Sequence, residues 1–214
     1  MDWKGDFVNA APLFPIFLKL EGKNCLVVGA GPVGEGKIRG LLESGAHVHV
    51  VSPQATTQVK NWSQVGSIAW EPRPFAAADL DDVFLVVAAT SSREVNDSIY
   101  AEAQRRSVLC NVVDVPDRCD FYYPSVVRRG NLQIAISTAG DSPTLAQRLR
   151  TDLEHQLPEE YSPWLDEIGR ERRALLASEP DPARRLKHLR ELSSQASFER
   201  YLSRTTTQDR KEFL

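Results

Sequence analysis

The sequence lacks the features that mark secreted, membrane-spanning or nucleic-acid-binding proteins. It has only three cysteines, Cys25, Cys110 and Cys119, with no CxxC spacing, so we expect no disulfide framework and a cytoplasmic location. No apolar run approaches the roughly 20 residues of a membrane span, which indicates no membrane partner. The net charge is −3, so no nucleic-acid partner is expected either.

Clustered metal ligands and a recognisable catalytic triad are also missing. The four histidines are His47 and His49, which alternate along one predicted strand, and His155 and His188 in a helical tail. None of them forms an HxxxH pair or a His/Cys cluster, so we predict no metal site and a structural role for each histidine. No Ser/His/Asp or Cys/His arrangement is convincing.

The most informative feature that is present is a glycine motif between two apolar, strand-like runs. Gly29, Gly31 and Gly34 form GxGxxG after an apolar strand over residues 25–28 and before a helix-like segment. In a dinucleotide-binding unit the three glycines permit the tight turn, the close approach of a pyrophosphate and the packing of helix on strand. The context predicts a dinucleotide site. The alternative is a glycine turn used only for packing.

The second strand of this unit does not end with the acid that usually binds the ribose. The strand closes as Val-Val-Ser52-Pro53-Gln54, where an Asp or Glu about 20 residues after the glycines is the common ribose ligand. Ser52, Gln54 or the backbone must therefore hold the adenosine. No arginine stands there for a 2′-phosphate, which favours NAD over NADP. Thr90, just past the fourth predicted strand, is also predicted to contact the cofactor.

The alternation of strands and helices predicts an α/β fold with a Rossmann-like parallel sheet. Further strands are expected over residues 14–19, 67–71, 83–89 and 108–113, and a helix over residues 94–106. After residue 114 the pattern changes to a β-hairpin over residues 121–137 and a helix from about Thr144, capped by Asp141 or Ser142.

The last third of the chain is predicted to be a helical C-terminal subdomain, with breaks at Pro158, Pro163, Pro180 and Pro182. We divide the chain into residues 1–114 for the nucleotide-binding domain, 115–150 for the hairpin and its helix, and 151–214 for the tail. We interpret the tail as a packed subdomain. A partner-binding module is the alternative.

Two segments could carry chemistry. Asp114 closes the fifth strand, at the edge where open α/β sheets bind ligands, and could orient a substrate or accept a proton. The alternative is an acid that only shapes a turn before Pro116.

The segment around Thr138 and Ser142 combines hydroxyls with a helix N-terminus, which attracts anions. Nearby arginines, Arg148 among them, would suit a substrate with several carboxylates, and a simple capped helix is the alternative.

Several motifs in this order resemble one known family. The stretches PIFLKLEGKNCLVVGAGPVGEGK, NVVDVPDRCDFYYPS and IAISTAGDSPTLAQRLR are similar to the precorrin-2 dehydrogenase module of siroheme synthase and its stand-alone forms. The resemblance covers roughly residues 12–155. Ala30 and Ala139 stand where the family commonly has glycine, and Gly36 where it has a larger residue, but the three motif glycines and Asp114 are present.

The resemblance implies an oxidoreductase that uses NAD to oxidise precorrin-2 to sirohydrochlorin in siroheme biosynthesis. It implies that Asp114 is the catalytic residue and that Pro32, Val33, Pro53 and Gln54 contact the nucleotide. Residues 115–150 would form a dimerisation and substrate-cleft segment of a homodimer. The candidate sites are thus catalytic Asp114, a cofactor set and a substrate set. The cofactor set is Gly29, Gly31, Pro32, Val33, Gly34, Ser52, Pro53, Gln54 and Thr90, and the substrate set is Asn111, Thr138, Ser142 and Arg148.

Two alternatives remain open at this point. Some members of the family also insert ferrous iron into sirohydrochlorin as a ferrochelatase, and the resemblance implies the same aspartate for that step. The sequence is compatible with both kinds of member. A protein of another class, a regulator that senses NAD without catalysis, would use the same glycine turn without needing Asp114.

Overall fold

A computed structural model describes residues 12–212, with side-chain surroundings for residues 12–205. The chain divides into two compact units, with the boundary between Tyr123 and Pro124. Each unit has its own secondary structure. No helix in the described part of the chain combines the length and hydropathy that a membrane crossing needs.

The first unit is built on a five-stranded sheet in which every pairing is parallel. Its order is β3-β2-β1-β4-β5. The chain adds β2 and β3 on one side of β1, and then crosses over to add β4 and β5 on the other side. The predicted Rossmann-like sheet is confirmed. The strands are β1 Asn24–Ala30, β2 His47–Ala55, β3 Ala69–Glu71, β4 Leu85–Ala88 and β5 Leu109–Val112.

Helices cover both faces of this sheet, which explains why its central strands are apolar on both sides. Ile38 and Leu41 pack into the core on one face, and Ile99 and Ala103 pack into the core on the other. Leu26 and Val27, neighbours on β1, are both fully buried, one in each core. The helices are α1 Pro32–Glu43, α2 Thr57–Gln64 and α3 Arg93–Arg106.

One expectation for this unit was wrong, and one helix was not predicted. Residues 14–19 form no strand, and Phe14 is 85% exposed. The apolar content suggested a strand, but Pro12 and Pro15 have no amide hydrogen to donate to a sheet. Helix α2 was not predicted. It begins where the Thr56 side chain accepts a hydrogen bond from the Val59 amide. It buries only Val59, so the sequence shows little of the apolar periodicity by which a helix is recognised.

The second unit begins with an antiparallel hairpin of β6 Ser125–Arg129 and β7 Leu132–Ile136, as predicted. Helix α4 Pro143–Gln156 follows, with the Ser142 hydroxyl accepting a hydrogen bond from the Leu145 amide as its cap. Arg129 joins the hairpin to the end of α4, because its guanidinium donates to the carbonyls of Glu154 and Leu157 at 2.9 and 2.7 Å.

The tail of the second unit is helical, as expected, but one break was wrongly placed. The helices are α5 Tyr161–Ser178, α6 Pro182–Leu192 and α7 Gln195–Glu212. Pro163 does not break the chain. It lies in the first turn of α5, where a missing amide hydrogen costs no intrahelical bond. The break between α6 and α7 falls at Ser193 and Ser194, without a proline. The rings of Tyr161, Trp164 and Phe198 form the aromatic core of this tail.

Candidate functional site

A cavity of about 850 Å³ opens at the carboxyl ends of the strands in the first unit. It lies where β1 and β4 are neighbours, and there the chain order reverses across the sheet. Ligands of open α/β sheets bind at this kind of crevice, and the volume falls in the range of roughly 300–1,000 Å³ usual for ligand pockets. The cavity is lined by the glycine turn, the ends of β2, β4 and β5, and the loop after β3.

Two of the three motif glycines are required by the packing of the protein itself. Gly29 has φ of +101°, and a Cβ there would lie 2.4 Å from the Ala89 carbonyl oxygen. A Cβ on Gly34 would lie 2.0 Å from the Gly29 carbonyl oxygen. The first glycine therefore makes the turn and the third allows the helix to approach the strand. Gly34 is buried and does not line the cavity.

Gly31 differs from the other two glycines, and the difference bears on function. A Cβ added to Gly31 would meet no atom within 4 Å, and its φ of −73° is open to any residue. Gly31 lines the cavity. The protein's own packing therefore gives no reason for a glycine here, whereas a ligand that approaches the main chain closely would give one. A turn that serves packing alone does not account for Gly31.

The N-terminus of α1 offers backbone amides to an anion in the cavity. The first intrahelical hydrogen bond runs from the Glu35 amide to the Gly31 carbonyl at 2.8 Å. The amides of Val33 and Gly34 precede it and have no partner within the helix. Pro32 occupies the first helical position. These groups fit the pyrophosphate of a dinucleotide, because helix N-termini favour negative charge.

The end of β2 is shaped by Ser52. Its side chain is nearly buried, and its hydroxyl donates to the Gln54 carbonyl at 2.7 Å. The Trp70 indole donates to the Ser52 carbonyl at 3.1 Å. Ser52 therefore fixes the turn, while Pro53 and Gln54 are exposed at the cavity wall. Of the residues predicted for the adenosine, the structure leaves Gln54 with the freest side chain.

Thr90, after β4, also lines the cavity and is held by Asn96 of α3. The Asn96 amide nitrogen donates to the Thr90 carbonyl at 3.1 Å, and the Asn96 side-chain oxygen lies 2.7 Å from the Thr90 hydroxyl. Asn96 is buried. The wall beside the glycine turn, where a Cβ on Gly29 would lie 3.0 Å from the Thr90 nitrogen, is therefore fixed by a buried amide that sequence analysis did not single out.

Asp114 lies at the end of β5, on the wall of the same cavity as the glycine turn. Its φ is +61°, a left-handed conformation that aspartate tolerates better than most residues. Hydrogen bonds hold the main chain on both sides of it. The Val113 amide donates to the Ala88 carbonyl at 3.0 Å, and the Val115 amide donates to the Val112 carbonyl at 3.2 Å. Asp114 is exposed, so its carboxylate is accessible from the cavity side.

Sequence analysis missed Lys37, which lies near Asp114. Lys37 is four residues after Val33 on α1, and its ammonium nitrogen is 3.4 Å from the centre of the Tyr123 ring. Burial lowers the pKa of Lys37, and the negative charge of Asp114 opposes that effect. The charge at Asp114 therefore has a cationic neighbour. The i, i+4 spacing from Val33 was the only available signal.

Asn111 is not brought to the cavity. Its side chain is buried, and its amide nitrogen donates to the Phe121 carbonyl at 2.8 Å and to the Cys119 sulfur at 3.4 Å. It ties the end of β5 to the following loop. The pattern at residues 111–114 suggested substrate contact, but the alternation of the strand directs Asn111 into the protein.

The remaining predicted substrate residues belong to the second unit. The Thr138 hydroxyl accepts a hydrogen bond from the Ser142 amide at 3.1 Å, so the two predicted hydroxyl residues form one turn. Arg148 is exposed, and its guanidinium lies 4.0 Å from the Asp152 carboxylate. Within residues 12–205, no group of three or more His, Cys, Asp or Glu side chains has the geometry of a metal site.

The strand order, the glycine turn and the cavity define a dinucleotide-binding protein of the Rossmann class. A family model described as NAD(P)-binding matches residues 16–125. The chain belongs to this family, so its cofactor is a nicotinamide dinucleotide. A second model, for the central part of sirohaem biosynthesis proteins, matches residues 129–156.

Curated relatives carry the name siroheme synthase. Siroheme synthase 1 of Serratia proteamaculans is 41% identical over 156 residues, which are 73% of this chain and 33% of that protein. Siroheme synthase 2 of Yersinia enterocolitica is 43% identical over 146 residues, covering 68% of this chain and 31% of that protein. The chain spans about a third of the length of these relatives.

A solved structure named SirC, precorrin-2 dehydrogenase, superimposes with a TM-score of 0.76. It is 26% identical in sequence, and the alignment covers 91% of this chain and all of that chain. The resemblance to the precorrin-2 dehydrogenase module, inferred from the motifs, is confirmed.

Proposed function

We propose that this protein oxidises precorrin-2 to sirohydrochlorin with NAD as the hydride acceptor, in the cytoplasm. One observation carries the proposal: Asp114 and the glycine turn line the same cavity. A regulator that only senses NAD would need the turn and not the acid. The names of the siroheme synthase relatives and of the SirC structure support the substrate.

NAD is the proposed cofactor rather than NADP. The cavity wall contains no lysine, arginine or histidine among the residues that the structure describes. A 2′-phosphate carries about two negative charges and is normally met by an arginine. The free hydroxyl of NAD requires no cation, and Gln54 and the carbonyls at the end of β2 can bind it.

In the proposed reaction, precorrin-2 loses a hydride and a proton. Bound NAD supplies the site that accepts the hydride, and the protein must orient the substrate and accept the proton. In this proposal the Asp114 carboxylate takes that proton or holds a pyrrole N–H, which is supported by its position on the cavity wall. The main chain at Asp114 is left-handed, and the hydrogen bonds of its two neighbours keep that conformation.

The second unit supplies the proposed groups for the carboxylates of the tetrapyrrole. The Thr138–Ser142 turn at the start of α4 and the exposed Arg148 suit anionic groups, by hydrogen bonding and by charge. We assign Thr138, Ser142 and Arg148 to substrate binding and residues 115–150 to dimerisation. In this proposal the working form is a homodimer.

The deciding experiment supplies purified protein with NAD and enzymatically made precorrin-2. Formation of NADH and the absorption spectrum of sirohydrochlorin are followed together, and stoichiometric appearance of both is expected. A folded protein that binds NAD but does not turn over precorrin-2 would contradict the dehydrogenase and leave the NAD sensor. Sedimentation of the same sample tests the homodimer.

Iron insertion is tested in the same setting. Sirohydrochlorin and ferrous ion are mixed with the protein under anaerobic conditions, and the rate is compared with the rate in its absence. An excess rate that the Asp114→Asn variant loses would make the protein bifunctional. A rate equal to the background would limit it to dehydrogenation.

A further inference from the structure

An arginine next to the cofactor cavity is neutralised by two carboxylates. Arg73 follows β3, and its Nε donates to Glu71 at 2.7 Å. Its two terminal nitrogens donate to the two oxygens of Asp79 at 2.9 and 2.6 Å. His49 of β2 contacts the other oxygen of Glu71 at 2.8 Å. We call Glu71, Arg73 and Asp79 the arginine clamp.

The arginine clamp lies at the adenosine side of the cavity. Glu71 pairs with Val51 in the parallel register of β2 and β3, one residue before Ser52. The two residues that follow Arg73, Pro74 and Phe75, line the cavity wall. Because the 2′ position of a bound adenosine lies beyond the end of β2 in this class of fold, Arg73, which directly precedes the lining residues Pro74 and Phe75, lies at the same edge of the sheet as that position.

The guanidinium has little capacity left for another anion. An arginine has five N–H donors, and four are used: one by Glu71, two by Asp79 and one by the Pro74 carbonyl. Asp79 is only 6% exposed and also accepts from the Ala76 amide at 2.8 Å, so it cannot swing away easily. With two carboxylates against one guanidinium, the arginine clamp has a net charge of −1 at neutral pH.

We infer that the arginine clamp determines cofactor specificity, because Glu71 and Asp79 occupy Arg73 and leave a negative field that disfavours the 2′-phosphate of NADP. The inference rests on the proposed use of NAD. It adds a reason that the end of β2 alone does not give: an arginine is present at this edge, but its charge is already compensated. Other proteins of the class use a free arginine to accept that phosphate.

The test compares Glu71→Gln with wild type in the binding of NAD and NADP. Glutamine keeps the shape and an oxygen acceptor for Arg73 but removes one negative charge. Dissociation constants are measured by isothermal titration calorimetry without tetrapyrrole, so the result does not depend on turnover. We expect NADP to bind about three- to tenfold more tightly, the size of a screened charge interaction across several ångströms, with NAD affinity unchanged.

Two further variants separate the guanidinium from a general charge effect. Glu43→Gln removes the same charge from the far end of α1, where Glu43 is exposed, and should not change the NADP/NAD ratio. Glu71→Gln combined with Arg73→Gln and Asp79→Asn keeps the net charge of zero that Glu71→Gln alone has but removes the guanidinium. The gain in NADP affinity should disappear in this triple variant, whereas a general charge effect would retain it. Asp79→Asn provides a second way to release Arg73 if Glu71→Gln does not fold.

The outcomes distinguish this inference from the proposed function. If NAD binds and the NADP/NAD ratio stays within twofold in both Glu71→Gln and Asp79→Asn, the arginine clamp has no role in specificity. Equal wild-type affinity for both nucleotides would also overturn it, and neither result affects precorrin-2 oxidation. Failure to turn over precorrin-2, with the expected ratios observed, would instead reject the dehydrogenase and leave the arginine clamp standing.

Discussion

The two ends of the cofactor cavity are built by different means. At the glycine end, residues 29–34, the wall is main chain: a left-handed turn, a helix N-terminus and the open face of Gly31. At the acid end the wall presents the side chain of Asp114, with Lys37 and Tyr123 nearby. One end depends on backbone shape and the other on a few ionisable groups.

This difference separates binding from chemistry. Backbone amides and glycines recognise a pyrophosphate whatever reaction follows, and such turns occur in proteins of many functions. A carboxylate at a strand end has to be matched to its substrate. Variants at the glycine end should therefore change cofactor affinity, and variants at the acid end should change turnover.

The largest effect is expected from Asp114→Asn. Asparagine tolerates the left-handed main chain and keeps the size of the side chain, but it cannot accept a proton as a carboxylate does. We expect turnover of precorrin-2 to fall by about 10²–10⁴-fold, the usual contribution of a general base, with NAD affinity unchanged. Stopped-flow detection of NADH and calorimetric titration of NAD measure the two quantities. Unchanged turnover would mean that Asp114 only shapes its turn.

At the glycine end, Gly31→Ala should weaken NAD binding without destabilising the protein. The new Cβ would meet no protein atom but would occupy the approach of the pyrophosphate. We expect a roughly 10- to 100-fold higher dissociation constant, the loss of about one charge-assisted hydrogen bond. Gly36→Ala is the matched control, since its Cβ also meets nothing and Gly36 does not line the cavity. Equal NAD affinity in both variants would support a turn that serves packing alone.

Gly34→Ala should have the opposite profile to Gly31→Ala. Its Cβ would lie 2.0 Å from the Gly29 carbonyl oxygen, so α1 must move away from β1. We expect the free energy of unfolding to fall by about 1–3 kcal/mol, as for other overpacked sites, measured by urea denaturation without NAD. If Gly34→Ala is as stable as wild type and only NAD binding is lost, the assignment of the two glycines is wrong.

The smallest effect is expected at Lys37, in the pH dependence of turnover. Burial lowers the pKa of Lys37 below its ordinary 10.5, so its ammonium loses its proton at a lower pH than an exposed lysine. Turnover that depends on this charge should decline as the pH rises through the lowered pKa. In Lys37→Arg the decline should move to higher pH, because a guanidinium stays protonated.

Other ionisable groups near Lys37 need a control. Asp114, Cys119 and Tyr123 face it, and burial raises the pKa of the Cys119 thiol. Tyr123→Phe keeps the ring below the ammonium and removes the phenol. The alkaline decline should persist in this variant. A decline that disappears in Tyr123→Phe and is unmoved in Lys37→Arg would assign it to the phenol.

Much of the fold followed from local patterns. The GxGxxG between apolar runs predicted β1, the turn and the helix that follows it, because Gly29 and Gly34 have local steric roles. Ser142 was predicted as one of two possible caps of α4, since capping involves residues three apart in sequence. The predicted break at Pro163 was wrong because a proline in a first helical turn looks like a proline that ends a helix.

The site was predictable only in part, because residues that are far apart in the sequence meet there. Nearly all of the predicted cofactor residues line the cavity, as does Asp114, because parallel strands bring their carboxyl ends to one edge. Asn111 could not be placed from sequence, since one position along a strand reverses the direction of the side chain. Asn96 and Phe75 were missed because neither belongs to a motif.

By itself the sequence determined the class of the nucleotide-binding unit, since turn, cap and strand preferences depend on residues a few positions apart. It also placed the one acid at the end of β5. Only the tertiary structure decided that Lys37 lies near enough to that acid for the two charges to interact, that Asp79 and Glu71 neutralise Arg73, and that Gly31 opens to a cavity. Those facts join distant parts of the chain through the strand order, and the charge or space at a point depends on everything that packs around it.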